Sequence, residues 1–307
     1  MNVLVTGGAG FIGSHLSRAL LEAGHQVRVL DNLSTGRRQN LDASPQVELI
    51  VADIRDRRTL DGPMRGVEAV FHLAALPSVP RSWSDPVATL AANGLGTANV
   101  IESALAAGAG SFVYSSSSSV YGDQPGDERS EQLEPRPVSP YGYSKLLGEK
   151  IVHAHARARD IRVISLRYFN VFGPCQDPDS QYSAVIPRFI KAAREGGPIS
   201  VHGDGGQSRD FTYIDNVVQA NLLALCSPAQ DAVLNVGCGR PVVLLDLVDA
   251  IARLTGRPLD VRHVDPRPGD VRRSLADCTR ARAVLGYEPA VDFESGLATT
   301  YEWFAAN

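Results

Sequence analysis

Two side chains near the middle of the chain have the types and the spacing for proton transfer. Tyr141 and Lys145 stand at i, i+4 in the run Ser139-Pro140-Tyr141-Gly142-Tyr143-Ser144-Lys145. The pattern predicts a helix from Pro140 to about Arg157, so both lie on one helical face. A free tyrosine ionises near ~10 and is a poor base at neutral pH. A cation held beside it favours the phenolate and brings the group toward working pH, as proton transfer requires. Tyr143 lacks such a partner, because Leu147 stands where its lysine would have to be. A hydroxyl that relays the proton completes the chemistry, and Ser115–Ser119 supplies the candidates. Ser117 is the preferred one, with Ser116, Ser118 and Ser119 as rivals. Tyrosine and lysine often share a helix, so the pair needs a context.

A glycine run supplies that context. Gly7-Gly8-Ala9-Gly10-Phe11-Ile12-Gly13 follows a predicted strand, Val3–Val5, and opens a predicted helix, Phe11–Ala23. It satisfies G-x-G-x-x-G from Gly8. Glycines serve there because the turn is tight, the backbone approaches a pyrophosphate and the helix packs close to the strand. The helix N-terminus offers free N–H groups and a positive dipole end to phosphate. Asp31 ends the second predicted strand roughly 20 residues on, where a carboxylate binds the adenosine ribose of a dinucleotide. A carboxylate there repels a 2′-phosphate and points to NAD rather than NADP, although Arg37 and Arg38 lie close enough to tolerate a phosphate. Asp53 either reaches the adenine or caps a helix beginning near Asp56. Oxidised nicotinamide would add positive charge beside Tyr141, and Lys145 can also bond the nicotinamide ribose.

These residues need a frame. Short apolar runs at Val3–Val5, Val27–Leu30, Val47–Val51, Ala69–Leu73, Ser111–Ser115 and Val163–Leu166 alternate with longer amphipathic segments, including a helix from about Pro86 to Ala107. Apolar runs without alternation suit strands buried on both faces. Strands alternating with helices predict an α/β, Rossmann-like doubly wound parallel sheet. After about Asn170 the composition shifts. Gly, Pro, Asp and Gln cluster at Gly173–Ser183 and Gly203–Ser208, helices are predicted at Val185–Arg194, Asp215–Leu225 and Leu244–Leu254, and strands at Leu234–Val236 and Leu259–Val264. This reads as a smaller mixed α/β substrate-binding domain. The expected division is 1–169 for dinucleotide binding, with segments returning near 212–228, and 170–307 mainly for substrate.

With 307 residues, 44% of them hydrophobic, the chain can bury a large core. A net charge of −4 with interspersed signs argues against a nucleic-acid or anionic-membrane surface. No apolar run reaches the ~18–20 residues of a membrane span. Cys175, Cys226, Cys238 and Cys278 form no CxxC pair, so free thiols in a reducing compartment are expected and a metal site is not. The N-terminus shows no signal-peptide pattern. A cytoplasmic protein is expected.

The chain resembles the extended short-chain dehydrogenases/reductases of the NAD-dependent epimerase/dehydratase type, and among them the UDP-hexose 4-epimerases. The matching stretches include TGGAGFIG at 6–13, DNLSTG at 31–36, HLAA at 72–75, NGLGT at 93–97, SPYGYSK at 139–145, SRDFTYIDN at 208–216 and PGD at 268–270. The resemblance implies that Tyr141 is the base, Lys145 its partner and Ser117 the third member. It puts Gly7, Gly10, Phe11, Ile12, Gly13, Asp31, Asn32, Asp53, Ile54, Leu73, Ala74, Ala75 and Asn93 around NAD. It gives the nucleotide diphosphate to Asn170, Arg209 and Arg267, and counts Asp270 among the substrate-binding residues. It also implies a homodimer built through the helices at 86–107 and 140–157. The implied reaction oxidises and re-reduces sugar C4, with cofactor ending as it began.

Related 4,6-dehydratases carry Asp-Glu directly after the triad hydroxyl. Ser118 and Ser119 stand there instead, which argues against dehydration. A decarboxylase, a net reductase and a non-catalytic NAD sensor are weaker alternatives. Ser274 matches the residue that makes room beside the C2 substituent, so a small side chain there implies UDP-GlcNAc/UDP-GalNAc alongside UDP-Glc/UDP-Gal. A uronic acid sugar is the other option, with Arg81 or Arg272 to meet its carboxylate.

Overall fold

The computed structural model describes residues 1–178, 184–265 and 271–306. The first half runs β1 (Asn2–Thr6), α1 (Phe11–Glu22), β2 (Gln26–Asp31), β3 (Glu48–Val51), β4 (Ala69–His72), α2 (Val79–Ser84), α3 (Pro86–Leu90), α4 (Gly96–Ala106), β5 (Ser111–Ser117), β6 (Glu128–Arg129) and α5 (Pro140–Ala158). The second runs β7 (Arg162–Tyr168), β8 (Val171–Phe172), α6 (Val185–Glu195), β9 (Ile199–His202), β10 (Ser208–Asp210), β11 (Thr212–Tyr213), α7 (Ile214–Cys226), β12 (Asp231–Val236), β13 (Pro241–Val243), α8 (Leu244–Thr255), β14 (Val261–Val264), β15 (Arg273–Ala276), α9 (Thr279–Leu285) and α10 (Phe293–Ala306).

Seven parallel strands form the main sheet in the order β12-β7-β5-β4-β1-β2-β3. The order reverses between β1 and β4, which opens a crevice at their carboxyl ends where ligands bind in such sheets. Successive side chains alternate between two cores. Val3, Val5 and Val29 face one with Leu16 and Val217, whereas Leu4, Leu30 and Val70 face the other with Val100 and Val152. Burial on both sides is the physical reason these strands read as unbroken apolar runs. The predicted doubly wound α/β class is the one observed.

Three elements differ from expectation. The helix predicted from Pro86 to Ala107 is interrupted by a π-helical turn at Ala91–Leu95, which places Asn93 within the wide turn. π-turns of this kind are frequent at functional sites. The strand predicted at Ser111–Ser115 continues to Ser117. The strand predicted at Leu234–Val236 begins at Asp231 and joins the main sheet, in register with β7 from Asp231↔Val163 to Val236↔Tyr168. A short apolar run does not say which sheet it enters; Ala232, Leu234 and Val236 enter the core shared with α7. The remaining strands build a four-stranded sheet, β13-β10-β15-β6, and two small pairs. Among the described residues no helix is long and apolar enough to cross a membrane.

A buried polar chain ties the sheet to a helix. His72, 1% exposed, meets Thr6 Oγ1 through Nδ1 at 2.7 Å and Thr97 Oγ1 through Nε2 at 2.9 Å. Burial, with a smaller push from Lys145, holds the imidazole down to about 3. The folded chain therefore refuses a proton that the unfolded chain accepts below about 6.5. The stabilising contribution is complete above about 6.5 and shrinks as pH falls toward the folded value. Urea midpoints at pH 7 and pH 5 check this: the wild type loses stability on acidification, and His72→Gln loses less. An equal loss in both would remove His72 as a source.

Candidate active site

The glycine run behaves as a cradle. Gly7 has φ +72°, and a Cβ there would stand 2.6 Å from the Ala74 backbone nitrogen. A Cβ on Gly13 would stand 2.2 Å from the Gly7 carbonyl oxygen. The loop thus presses α1 against β1 and against Leu73-Ala74-Ala75, the segment leaving β4. Leu73 N–H donates to the Thr6 carbonyl and Ala74 N–H to Thr6 Oγ1. Helix α1 begins after Gly10 with no side-chain cap and no acidic residue in its first turn. Its first N–H groups, at Phe11 and Ile12, are those a diphosphate would take.

Asp31 closes one side of this cradle. Its carboxylate accepts from Ala9 N–H at 3.0 Å and Leu33 N–H at 2.8 Å, and Gly36 passes so close that a Cβ would lie 2.8 Å from Oδ2. Burial pushes the carboxyl up, while these backbone bonds oppose the shift. Asp31 is therefore both a brace and a ribose-ready acceptor. Asn32 donates to Asp53 at 2.9 Å. Asp53 is held far below the usual carboxylate range, first by the Arg55 guanidinium. It caps nothing: Asp56 is the cap of the following 3-10 turn. Ile54, 6% exposed, packs under Gly96. Asn93 faces inward; its amide accepts from Leu76 N–H at 2.8 Å and donates to Ser144 Oγ at 2.9 Å. It fixes the segment after β4 to α5.

Helix α5 starts where Ser139 accepts from Gly142 N–H and Pro140 fills the first turn. This seats half-buried Tyr141 at the helix start and Lys145 one turn further in, 4% exposed. Ser117, at the carboxyl end of β5, lies close enough to the Tyr141 phenol to ease its ionisation. Ser119 donates to Ser117 at 2.9 Å. Ser116 is removed from the contest, because its hydroxyl donates to buried Glu149 at 2.5 Å. Tyr143 points outward, 59% exposed. Burial holds the Tyr141 phenol above its ordinary value, with Ser117 acting against it. The phenol is thus not poised near neutrality by the protein alone; positive charge beside it has to complete the tuning. Burial also draws Lys145 down to about 8, opposed by Glu149. Its Nζ lies 4.8 Å from the Tyr114 ring centre.

The residues expected to meet substrate gather around β10. Arg209 lines a cavity of about 140 Å³ with Phe189, His202, Gln207, Phe211 and Leu244. The sequence reading missed all of these except Arg209; only the neighbouring arginine marked Phe211. Arg209 and Asp210 are not a surface ion pair. Asp210 is fully buried and accepts from Cys238, Gly239 and Ala276 N–H groups. Asn170 takes φ +33° and donates to the Asp210 carbonyl at 3.0 Å, which joins the end of β7 to the Arg209 strand. Ser274 is half-buried on β15, directly across from Arg209. Arg272, considered for a sugar carboxylate, is paired with Asp204 on the surface instead. Arg267 and Asp270 lie outside the described residues.

The model of the NAD dependent epimerase/dehydratase family matches residues 3–237. A UDP-glucose 4-epimerase of Mycolicibacterium smegmatis is 39% identical over 314 residues, covering 99% of this chain and 98% of that protein. The structure of UDP-glucose 4-epimerase from Thermotoga maritima with UDP-glucose superposes with TM-score 0.96 at 37% identity, covering 100% of this chain and 99% of that one. UDP-N-acetylglucosamine 4-epimerase from Methanobrevibacter ruminantium gives TM-score 0.95 at 37% identity, covering 99% and 98%. Likeness of that degree over the whole chain accounts for the cradle and the Tyr141–Lys145 helix together, and this chain belongs to the NAD dependent epimerase/dehydratase family of enzymes, with NAD as its cofactor.

Proposed function

We propose that the chain interconverts the C4 epimers of a UDP-hexose, taking UDP-GlcNAc/UDP-GalNAc as well as UDP-Glc/UDP-Gal. The observation that carries this reading is the convergence of Ser117, Tyr141 and Lys145 at the carboxyl end of the sheet, beside the glycine cradle. Tyr141 accepts the proton of the sugar 4-OH through Ser117. Lys145 supplies the positive charge that makes a buried phenolate accessible. NAD, which the glycine run and Asp31 would hold, would supply a reversible hydride acceptor for C4, so that the redox change closes within one turnover. Ser118 and Ser119 follow the triad hydroxyl, and neither offers the acid and base that elimination of water needs. Asn170, Arg209 and Arg267 are assigned to the nucleotide diphosphate, and Asp270 to the substrate site. Paired donors of the arginines suit phosphate.

The sugar is the finer part of the proposal. Relatives of equal similarity are named for UDP-glucose and for UDP-N-acetylglucosamine. Small, half-buried Ser274 supports acceptance of both. Loss of Arg272 to Asp204 weakens the uronic acid alternative. We further propose a cytoplasmic homodimer. Leu90, Leu95, Tyr143 and Leu147 are exposed apolar side chains on the α3–α4 rod and α5, and Leu147 lies against Gly94. Exposed apolar side chains on these two helices support a partner surface there.

Three results test the reading. Tyr141→Phe is expected to keep its NAD and to lose about 100-fold or more in turnover; near-normal turnover removes Tyr141 from the mechanism. Ser274→Tyr is expected to abolish turnover of N-acetylated sugars while sparing the plain ones; equal loss of both sinks the gatekeeper role. Light scattering is expected to give twice the 32.9 kDa chain mass, and a monomer refutes the dimer.

A further inference from the structure

Behind Lys145 lies a buried ionic cluster with no assigned part in the reaction. Glu149, 3% exposed, sits one turn further along α5. Arg167, 4% exposed on β7, grips it with both arms, Nε at 2.9 Å and Nη2 at 2.8 Å. Ser116 Oγ donates to the same carboxylate at 2.5 Å. Helix α5, β5 and β7 therefore meet at one group. Burying an Arg–Glu pair gives little stability over apolar residues of the same shape, so its position invites another explanation.

We propose that Glu149 is a positioning residue of the active site, keeping Lys145 cationic and holding the strand end that presents Ser117. The proposal rests on the acid–base reading of Tyr141 and Lys145.

The groups facing Lys145 support it. His72 on β4 is neutral at working pH. Tyr114 on β5 offers its ring face. Tyr141 lies one turn back on the same helix. Arg167 turns its guanidinium over the Tyr121 ring at 4.7 Å. Among the described residues, the one carboxylate acting on Lys145 is Glu149, and it works against the burial that draws the lysine down. Without that anion, a fully enclosed ammonium would release its proton more readily. The second role follows from register. Ser116 pairs with Arg167 and Ser117 with Tyr168 across β5 and β7. Tying Ser116 to the carboxylate locks the residue next to the relay hydroxyl.

The test uses the holoenzyme. The chain has three lysines, Lys145, Lys150 and Lys191. Side-chain carbon NMR of protein labelled with 13C-lysine therefore shows three titrating signals, and Lys145→Arg assigns the one that matters. In Glu149→Gln the Lys145 midpoint is expected to fall by about 1 unit or more. The alkaline limb of kcat should move down with it, while KM and bound NAD stay unchanged. Glu149→Gln/Arg167→Gln, which leaves no unpaired buried charge, should show the same fall if the single variant does not fold. Ser116→Ala should lower kcat several-fold with the Lys145 midpoint unmoved. A Lys145 midpoint that overlays wild type in both Glu149 variants overturns the electrostatic role, and unchanged kcat in Ser116→Ala overturns the strand role. The lysine titration needs no turnover, so a wild type inactive on every UDP-hexose would defeat the reading of function and leave this result standing.

Discussion

The whole site hangs on one difficult act, the burial of a cation. Lys145 is enclosed by helix α5 and strands β4 and β5, and enclosure in a low-dielectric interior costs an ammonium several kcal/mol. That cost has a use. A lysine drawn down to about 8 is close to releasing its proton, so its charge responds to small changes around it. In the proposed mechanism Tyr141 depends on that charge, because burial by itself moves the phenol away from useful ionisation. Burial shifts the two groups in opposite senses, the phenol up and the ammonium down, and the proposed base needs both.

The sheet makes the enclosure feasible. Strands buried on both faces fix their carboxyl ends firmly, and the reversal of strand order between β1 and β4 leaves a crevice above them. The glycine run lets α1 sit low on β1, and Asn93, in its π-turn, links the segment after β4 to α5. The glycine cradle and the helix of Tyr141 and Lys145 are therefore both tied to the segment after β4. The second layer of strands brings Arg209 and Ser274 side by side on β10 and β15. The proposed diphosphate grip and the proposed sugar gate consequently share one small sheet.

Much of this was legible in the residues. The alternation of apolar runs and amphipathic segments pointed to the doubly wound sheet, and Tyr141, Lys145 and the glycine run stood out once their spacings were taken together. What was hidden depends on long-range contact. Nothing near Ser116 in sequence says that its hydroxyl meets Glu149, yet that bond separates Ser116 from Ser117. Nothing local shows that Asp231–Val236 returns to the main sheet. The partner of Arg272 lies 68 positions away at Asp204, beyond any periodicity argument. The π-turn at Asn93 also escapes a pattern built on ordinary helices.

The most direct measurement is proton NMR of the purified protein with UDP-GlcNAc and, separately, with UDP-Glc, adding no cofactor. The account predicts new anomeric signals of the C4 epimer from both sugars, produced by enzyme that keeps its NAD. No new signal from either sugar, even after NAD is supplied, would contradict it.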